Sequence, residues 1–121
     1  MKKVLIVDDE PTIVTIIEDL LRSNGYDTLP AGSAEEAEEV MKRNLPDLIL
    51  LDVMMPKTDG FEFCKKLKSD PAYQNIPVIF VTVMKSKEDI EKGKELGAAD
   101  YIPKPFDPAD LMARVKKHLA S

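Results

Sequence analysis

Three short runs of the chain are almost wholly apolar: Val4-Leu5-Ile6-Val7, Leu48-Ile49-Leu50-Leu51 and Val78-Ile79-Phe80-Val81. A strand with one wet face alternates apolar and polar residues, whereas a strand covered on both faces reads as a continuous apolar run. The three runs therefore predict the centre of a parallel sheet buried on both sides. Two weaker runs, Asp27 to Ala31 and Asp100 to Pro103, each carry a proline, Pro30 and Pro103. Proline lacks the N–H that a ladder needs, so these two are expected at the sheet's edges.

Between the runs the period changes to that of a helix. Ile13, Ile16, Ile17, Leu20 and Leu21 form one apolar stripe, and Gly25 follows as a stop. Ser33 with Glu36 has the pattern of a capping box ahead of a helix reaching about Arg43. Phe61 to Ser69 and Lys87 to Leu96 predict two more helices, the latter closed by Gly97, and Asp107-Pro108 starts a fifth. All nine prolines fall at ends or edges of these elements. The expected strand ends, near residues 8, 31, 52, 82 and 103, lie 21 to 30 residues apart, the length of a repeated strand–helix unit. Right-handed crossovers then give an open, doubly wound α/β sheet of five parallel strands. A chain of 121 residues has room for one such domain, and no repeat, linker or low-complexity stretch divides it.

Composition narrows the function. At 44% apolar and 32% charged residues the chain reads as globular and ordered. Seventeen basic against 22 acidic side chains leave a formal charge of −5, which argues against nucleic acid as a direct partner. No apolar run approaches the ~20 residues that span a bilayer, so no membrane partner is expected. The start, Met-Lys-Lys before the first apolar run, lacks the length and cleavage site of a secretory signal, and a cytoplasmic location is expected. Cys64 stands alone, which excludes an intrachain disulfide and a cysteine metal cluster.

In open α/β sheets the functional crevice lies at the carboxyl ends of the strands. Those ends carry Asp8-Asp9, Asp52, Thr82 and Lys104. Three carboxylates, a hydroxyl and an ammonium would meet on one edge. Carboxylates so crowded repel unless a cation balances them. An oxygen-only set without His or Cys suits Mg²⁺, with Mn²⁺ as the alternative. One Asp could then attack a phosphoryl group, a reaction that asks mainly for positioning and charge neutralisation. Taken singly, these residues read blandly. Asp8 and Asp9 would cap a helix before Pro11, Asp52 would start a turn ahead of Pro56 and Asp59-Gly60, and Lys104 would lie on the surface. Cys64 reads as buried filler and His118 as a favourable charge near a helix C-terminus. Gly93 and Gly97 share a GxxxG spacing, but their segment is charged, so the membrane meaning does not apply. There is no phosphate-binding glycine loop, and nucleotide binding is unsupported.

The pattern Asp8-Asp9, then Asp52-Val53-Met54-Met55-Pro56-Lys57-Thr58-Asp59-Gly60, then Thr82, then Lys104-Pro105-Phe106 resembles the receiver domain of two-component response regulators, from Lys3 to about Leu119. The resemblance implies a flavodoxin-like strand order of 2-1-3-4-5. It implies Asp52 as phosphoacceptor, with Asp8, Asp9, Asp52 and the Met54 backbone carbonyl as Mg²⁺ ligands. Lys104 would contact the phosphoryl group, Thr82 would be the switch hydroxyl, and Tyr101 the aromatic ring that turns inward with it. Pro56, Gly60 and Pro105 would shape the loops, the Lys104–Pro105 bond being cis. The implied function is a switch that takes its phosphoryl group from a histidine kinase or histidine phosphotransfer protein. It would alter a downstream protein target, or a homodimer, through the face made by its fourth helix, fifth strand and fifth helix.

Its catalysis would be limited to its own phosphorylation and dephosphorylation. That face mixes Lys87, Glu88, Asp89, Glu91, Lys92, Asp100, Arg114 and Lys117, which equally reads as a solvated surface. Val83 stands where the family usually carries Ala or Gly, implying slower phosphorylation or poorer reach for small donors. Met54 and Met84, two residues beyond Asp52 and Thr82, are expected to hinder an attacking water and lengthen the life of an acyl phosphate. Two other functions stay open: a Mg²⁺-dependent phosphohydrolase with an aspartyl nucleophile, although its usual DxD motif and cap domain are missing, and a pseudo-receiver that only binds. With no output domain after Ser121, the chain is expected either to act by binding partners or to be part of a longer regulator.

Overall fold

The computed structural model describes residues 1–120. Its elements alternate: β1 (Lys3–Val7), α1 (Pro11–Ser23), β2 (Asp27–Ala31), α2 (Ala34–Arg43), β3 (Leu48–Leu51), α3 (Gly60–Lys68), β4 (Val78–Thr82), α4 (Lys87–Glu95), β5 (Asp100–Pro103) and α5 (Pro108–Leu119). The strands form one sheet in the order β2-β1-β3-β4-β5, every pair parallel. The two strands that carry a proline are its edges, as expected.

The continuous apolar runs are explained by two cores, one on each face. Leu5, Val7, Ile49, Leu51, Val78 and Phe80 pack against α2 and α3 through Ala37, Met41, Phe63, Cys64 and Leu67. Their alternates Val4, Ile6, Leu48, Leu50, Ile79 and Val81 pack against α1 and α5 through Ile17, Leu21, Leu111 and Val115. Successive side chains point to opposite faces, so a strand covered twice needs an apolar residue at every position. Cys64 is fully buried, and burial pushes its thiol up.

The helix ends hold the loops that matter for the site. Ser33 Oγ accepts from the Glu36 N–H (3.1 Å), and Asp107 Oδ1 from the Ala109 N–H (3.2 Å). The complete reciprocal capping box stands at α4, where Ser86 and Asp89 exchange bonds of 3.1 and 3.3 Å. α1 begins at Pro11 with no side-chain cap, so Asp8 and Asp9 are not spent on that role. His118 pairs with Asp100 (3.2 Å), which also binds Arg114 (2.8 Å), so these side chains tie α5 to β5 instead of facing water freely.

The β3–α3 loop is the tightest. A Cβ at Gly60 would lie 2.2 Å from the Asp52 carbonyl oxygen and 2.8 Å from the Val53 Cα, so only glycine lets α3 start against the strand end. Lys57 in the same loop has φ +67°, a left-handed conformation that L side chains resist. Lys57→Gly is therefore expected to raise stability by about 0.5–1 kcal/mol, the strain relieved less the entropy glycine adds to the unfolded chain. Urea unfolding checks this: the midpoint should rise with an unchanged slope, and an equal or lower midpoint would show that Lys57 carries no strain.

Candidate functional site

The sheet delivers the site residues by extending its ladder one rung past each strand. The Asp8 N–H bonds the Ala31 carbonyl (3.0 Å), the Asp52 N–H the Val7 carbonyl (2.9 Å), and the Lys104 N–H the Thr82 carbonyl (2.8 Å). Side chains then fold each loop in the same way. Asp8 Oδ1 accepts from the Glu10 N–H (2.9 Å), Asp52 Oδ1 from the Met54 N–H (3.2 Å), and Thr82 Oγ1 from the Met84 N–H (3.3 Å). Short polar side chains favour such turns onto the backbone two residues on.

One oxygen of each carboxylate is thus fixed by its own loop, and the other faces Lys104. The ammonium lies 2.7 Å from Asp8 Oδ2, 3.2 Å from Asp52 Oδ2 and 3.4 Å from Glu10 Oε1. Asp8, Asp52, Thr82 and Lys104 are all buried, whereas the Glu10 side chain is 61% exposed. Burial pushes the Asp8 carboxyl above its usual range, a rise that the Lys104 hydrogen bond and the Glu10 N–H limit. Burial opposes the Lys104 charge, but its bonds to Asp8 and the charge of Asp52 outweigh that and raise it. The lysine is firmly cationic.

The acidic set at this edge gains a member in Glu10. Carboxylate oxygens of Asp8, Glu10 and Asp52 lie within 4.8 Å of one another, an all-oxygen cluster whose hard donors fit Mg²⁺ or Mn²⁺. Asp9 is outside that cluster; it is exposed and lines an adjoining groove with Val53, Met54, Met55, Phe61 and Met84. The cause is a turn: Asp8 accepts from the Glu10 N–H, and the bend at Asp9 leaves that side chain on the exposed rim while Glu10 comes back beside Asp8. The sequence signal for Glu10 is its spacing of two from Asp8, which the adjacent Asp8-Asp9 pair masks.

Around this cluster, Thr82 is fully buried, while Val83 and Met54 are 53% and 55% exposed. Met84 is half-buried, and Pro56 and Pro105 lie exposed in their loops. The Lys104–Pro105 peptide is cis. Tyr101 is half-buried, its ring 5.7 Å from that of Phe80, and its hydroxyl donates to the Met84 carbonyl. Burial, then the charges of Asp89 and Asp52, push its phenol up to about 12.

A family pattern described as the response regulator receiver domain matches residues 4–116. The chain belongs to this family. It is 45% identical over 115 residues to the alkaline phosphatase synthesis transcriptional regulatory protein PhoP of Bacillus subtilis, a match covering 95% of this chain and 47% of PhoP. The receiver domain thus spans about half the length of the curated relatives it matches. Among solved structures it is similar to the chemotaxis protein CheY4 of Vibrio cholerae, with 34% identity, a TM-score of 0.92 and coverage of 98% of this chain and 99% of that one. The BeF3-activated N-terminal receiver domain of RstA from Klebsiella pneumoniae matches at 36% identity and TM-score 0.92, covering 99% of this chain and all of the other.

The charge balance at the receiver's sheet edge is open to a direct test. Lys104→Met leaves two buried carboxylates without their cation, and breaking a buried pair costs about 3–5 kcal/mol. That loss should appear in the urea midpoint, and adding Asp8→Asn should recover part of it by removing one charge. A Lys104→Met domain as stable as the parent, or one that Asp8→Asn weakens further, would show that the balance lies elsewhere.

Proposed function

We propose that this receiver domain accepts a phosphoryl group on Asp52 from the phosphohistidine of a histidine kinase or histidine phosphotransfer protein, and answers by altering a partner-binding face. The observation that supports this most is the single ammonium of Lys104 held between buried Asp8 and Asp52. A carboxylate oxygen of Asp52 attacks phosphorus as the phosphorus–nitrogen bond breaks. The imidazole leaves with that electron pair and takes a proton from solvent. Lys104 meets the charge of the incoming phosphoryl oxygens, and the Thr82 hydroxyl turns from accepting the Met84 N–H to donating to one of them. Asp8, Asp52 and the Met54 carbonyl, with Asp9 from the rim and Glu10 within reach, would hold Mg²⁺, which would supply further positive charge against that of the phosphoryl group.

The new group carries close to two negative charges. When Thr82 moves toward it, the Met84 N–H loses its partner while the Met84 carbonyl still holds Tyr101. The backbone of Met84 is then the joint between the site and the face of α4, β5 and α5. That face would meet a downstream protein, or a second copy of the chain, through exposed Lys87, Glu88, Glu91 and Lys117. The chain's own chemistry is limited to gaining and losing this phosphoryl group. Among the described residues no helix is long and apolar enough to cross a membrane, and the proposed location is the cytoplasm.

Incubation with Mg²⁺ and acetyl phosphate should give one phosphoryl adduct by mass, on Asp52, absent in Asp52→Asn and when the metal is chelated. Repeated turnover of small phosphate esters would favour a phosphohydrolase, and inertness a binding-only module. The lifetime of the adduct is a separate matter. Met54 and Met84 shield the carbonyl carbon and phosphorus from water, so changing both to polar residues should speed dephosphorylation about tenfold, ~1.4 kcal/mol of barrier. An unchanged lifetime removes the shielding idea.

A further inference from the structure

Gly93 is out of place in α4 by every local rule. Glycine inside a helix is unfavourable against alanine. The left-handed glycines are Gly25 and Gly97, at φ +87° and +91°, so Gly93 has no such conformational need. It is the buried residue of α4. The reason for it is space. A Cβ at position 93 would lie 2.9 Å and 3.2 Å from Cδ2 and Cε2 of the Tyr101 ring, and 3.3 Å from Cδ2 of Phe80. The first distance is shorter than real Cβ contacts allow.

Phe80 cannot give way. It is fully buried and packed edge-on against Phe61, with ring centroids 5.2 Å apart. Tyr101 can, because it sits on an edge strand and is already partly exposed, so its ring has an outward rotamer available. We infer that Gly93 is the positioning residue for Tyr101: by lacking a side chain it leaves the berth in which the ring lies inward against Phe80 and reaches the Met84 carbonyl. The consequence for signalling rests on the phosphorylation reading above. With Gly93 in place, the inward arrangement carries no steric penalty even before phosphorylation. The balance between the two arrangements is then set partly by α4 and not by the phosphoryl group alone.

The test is Gly93→Ala, in a chain whose Tyr26 and Tyr73 are changed to Phe so that one labelled tyrosine ring remains. Nuclear Overhauser contacts between the Tyr101 and Phe80 rings should be strong in the parent and lost in the variant. A double-mutant cycle separates the berth from simple helix propensity. Gly93→Ala should lower the urea midpoint or leave it unchanged when Tyr101 is present. It should raise the midpoint when Tyr101→Ala has emptied the space. If Gly93→Ala stabilises both backgrounds equally, or if the ring contacts survive it, α4 simply accommodates the methyl group and the inference fails. If it destabilises both, the obstacle is Phe80 and the inference fails again. Beryllofluoride with Mg²⁺ tests the link to signalling: its apparent affinity should fall several-fold in Gly93→Ala, and an unchanged affinity would uncouple the berth from the switch. Failure of the parent chain to bind beryllofluoride would count against the phosphorylation reading, while the ring contacts and the stability cycle still decide the role of Gly93.

Discussion

Lys104 reaches across the sheet to do something no nearer residue does. It leaves β5, an edge strand, and its ammonium ends between carboxylates that follow β3 and β1. Neighbouring strands lie about 4.8 Å apart, so the span from β5 to β3 is roughly 10 Å, more than a lysine covers alone, and the carboxylates reach back to meet it. Thr82 of β4, small and fully buried, lies on the strand between and leaves room for that reach. Without the cation, two buried carboxylates would face each other in a poorly solvated end of the domain, and one would have to take up a proton. The parallel register, the flush strand ends and the cross-sheet ammonium are therefore parts of one constraint. Moving β5 away from β3 and β1 would leave the charges unbalanced.

That constraint explains why much of the molecule was legible in its sequence. Continuous apolar runs mean strands covered on both faces, prolines mark the edges, and the polar residues that close the runs must then share one rim. Asp8, Asp52, Thr82 and Lys104 follow from that reasoning with no further knowledge. The strand order itself came from the family resemblance.

What was not legible has physical reasons too. Glu10 joins Asp8 and Asp52 while Asp9 stands on the adjoining rim, because the turn that Asp8 makes onto the Glu10 N–H bends the chain at Asp9. The partnership of Asp100 with Arg114 and His118 joins residues 14 and 18 apart through the packing of α5 on β5, which no local period reveals. Ser86 with Asp89 is a capping pattern carried by Asp at the third helical position instead of the usual Glu or Gln. Gly93 showed only a spacing, since a missing side chain has meaning only once its neighbours are in place.

The site combines a rigid half with a loose half. The carboxylates and Lys104 are locked by several charge-assisted bonds, whereas the Thr82 hydroxyl holds the Met84 N–H at 3.3 Å, long for such a bond and easily given up. The same division runs through the helices. α3 buries Phe61, Phe63, Cys64 and Leu67, and α5 buries Leu111, Met112, Val115 and Leu119, but the buried residue of α4 is a glycine. Apolar burial is what fastens a helix to its sheet, so α4 is the helix held least firmly. It lies beside the loop that carries Met84 and against the ring of Tyr101. The longest of the loop-folding bonds and the helix with the least apolar burial thus stand side by side.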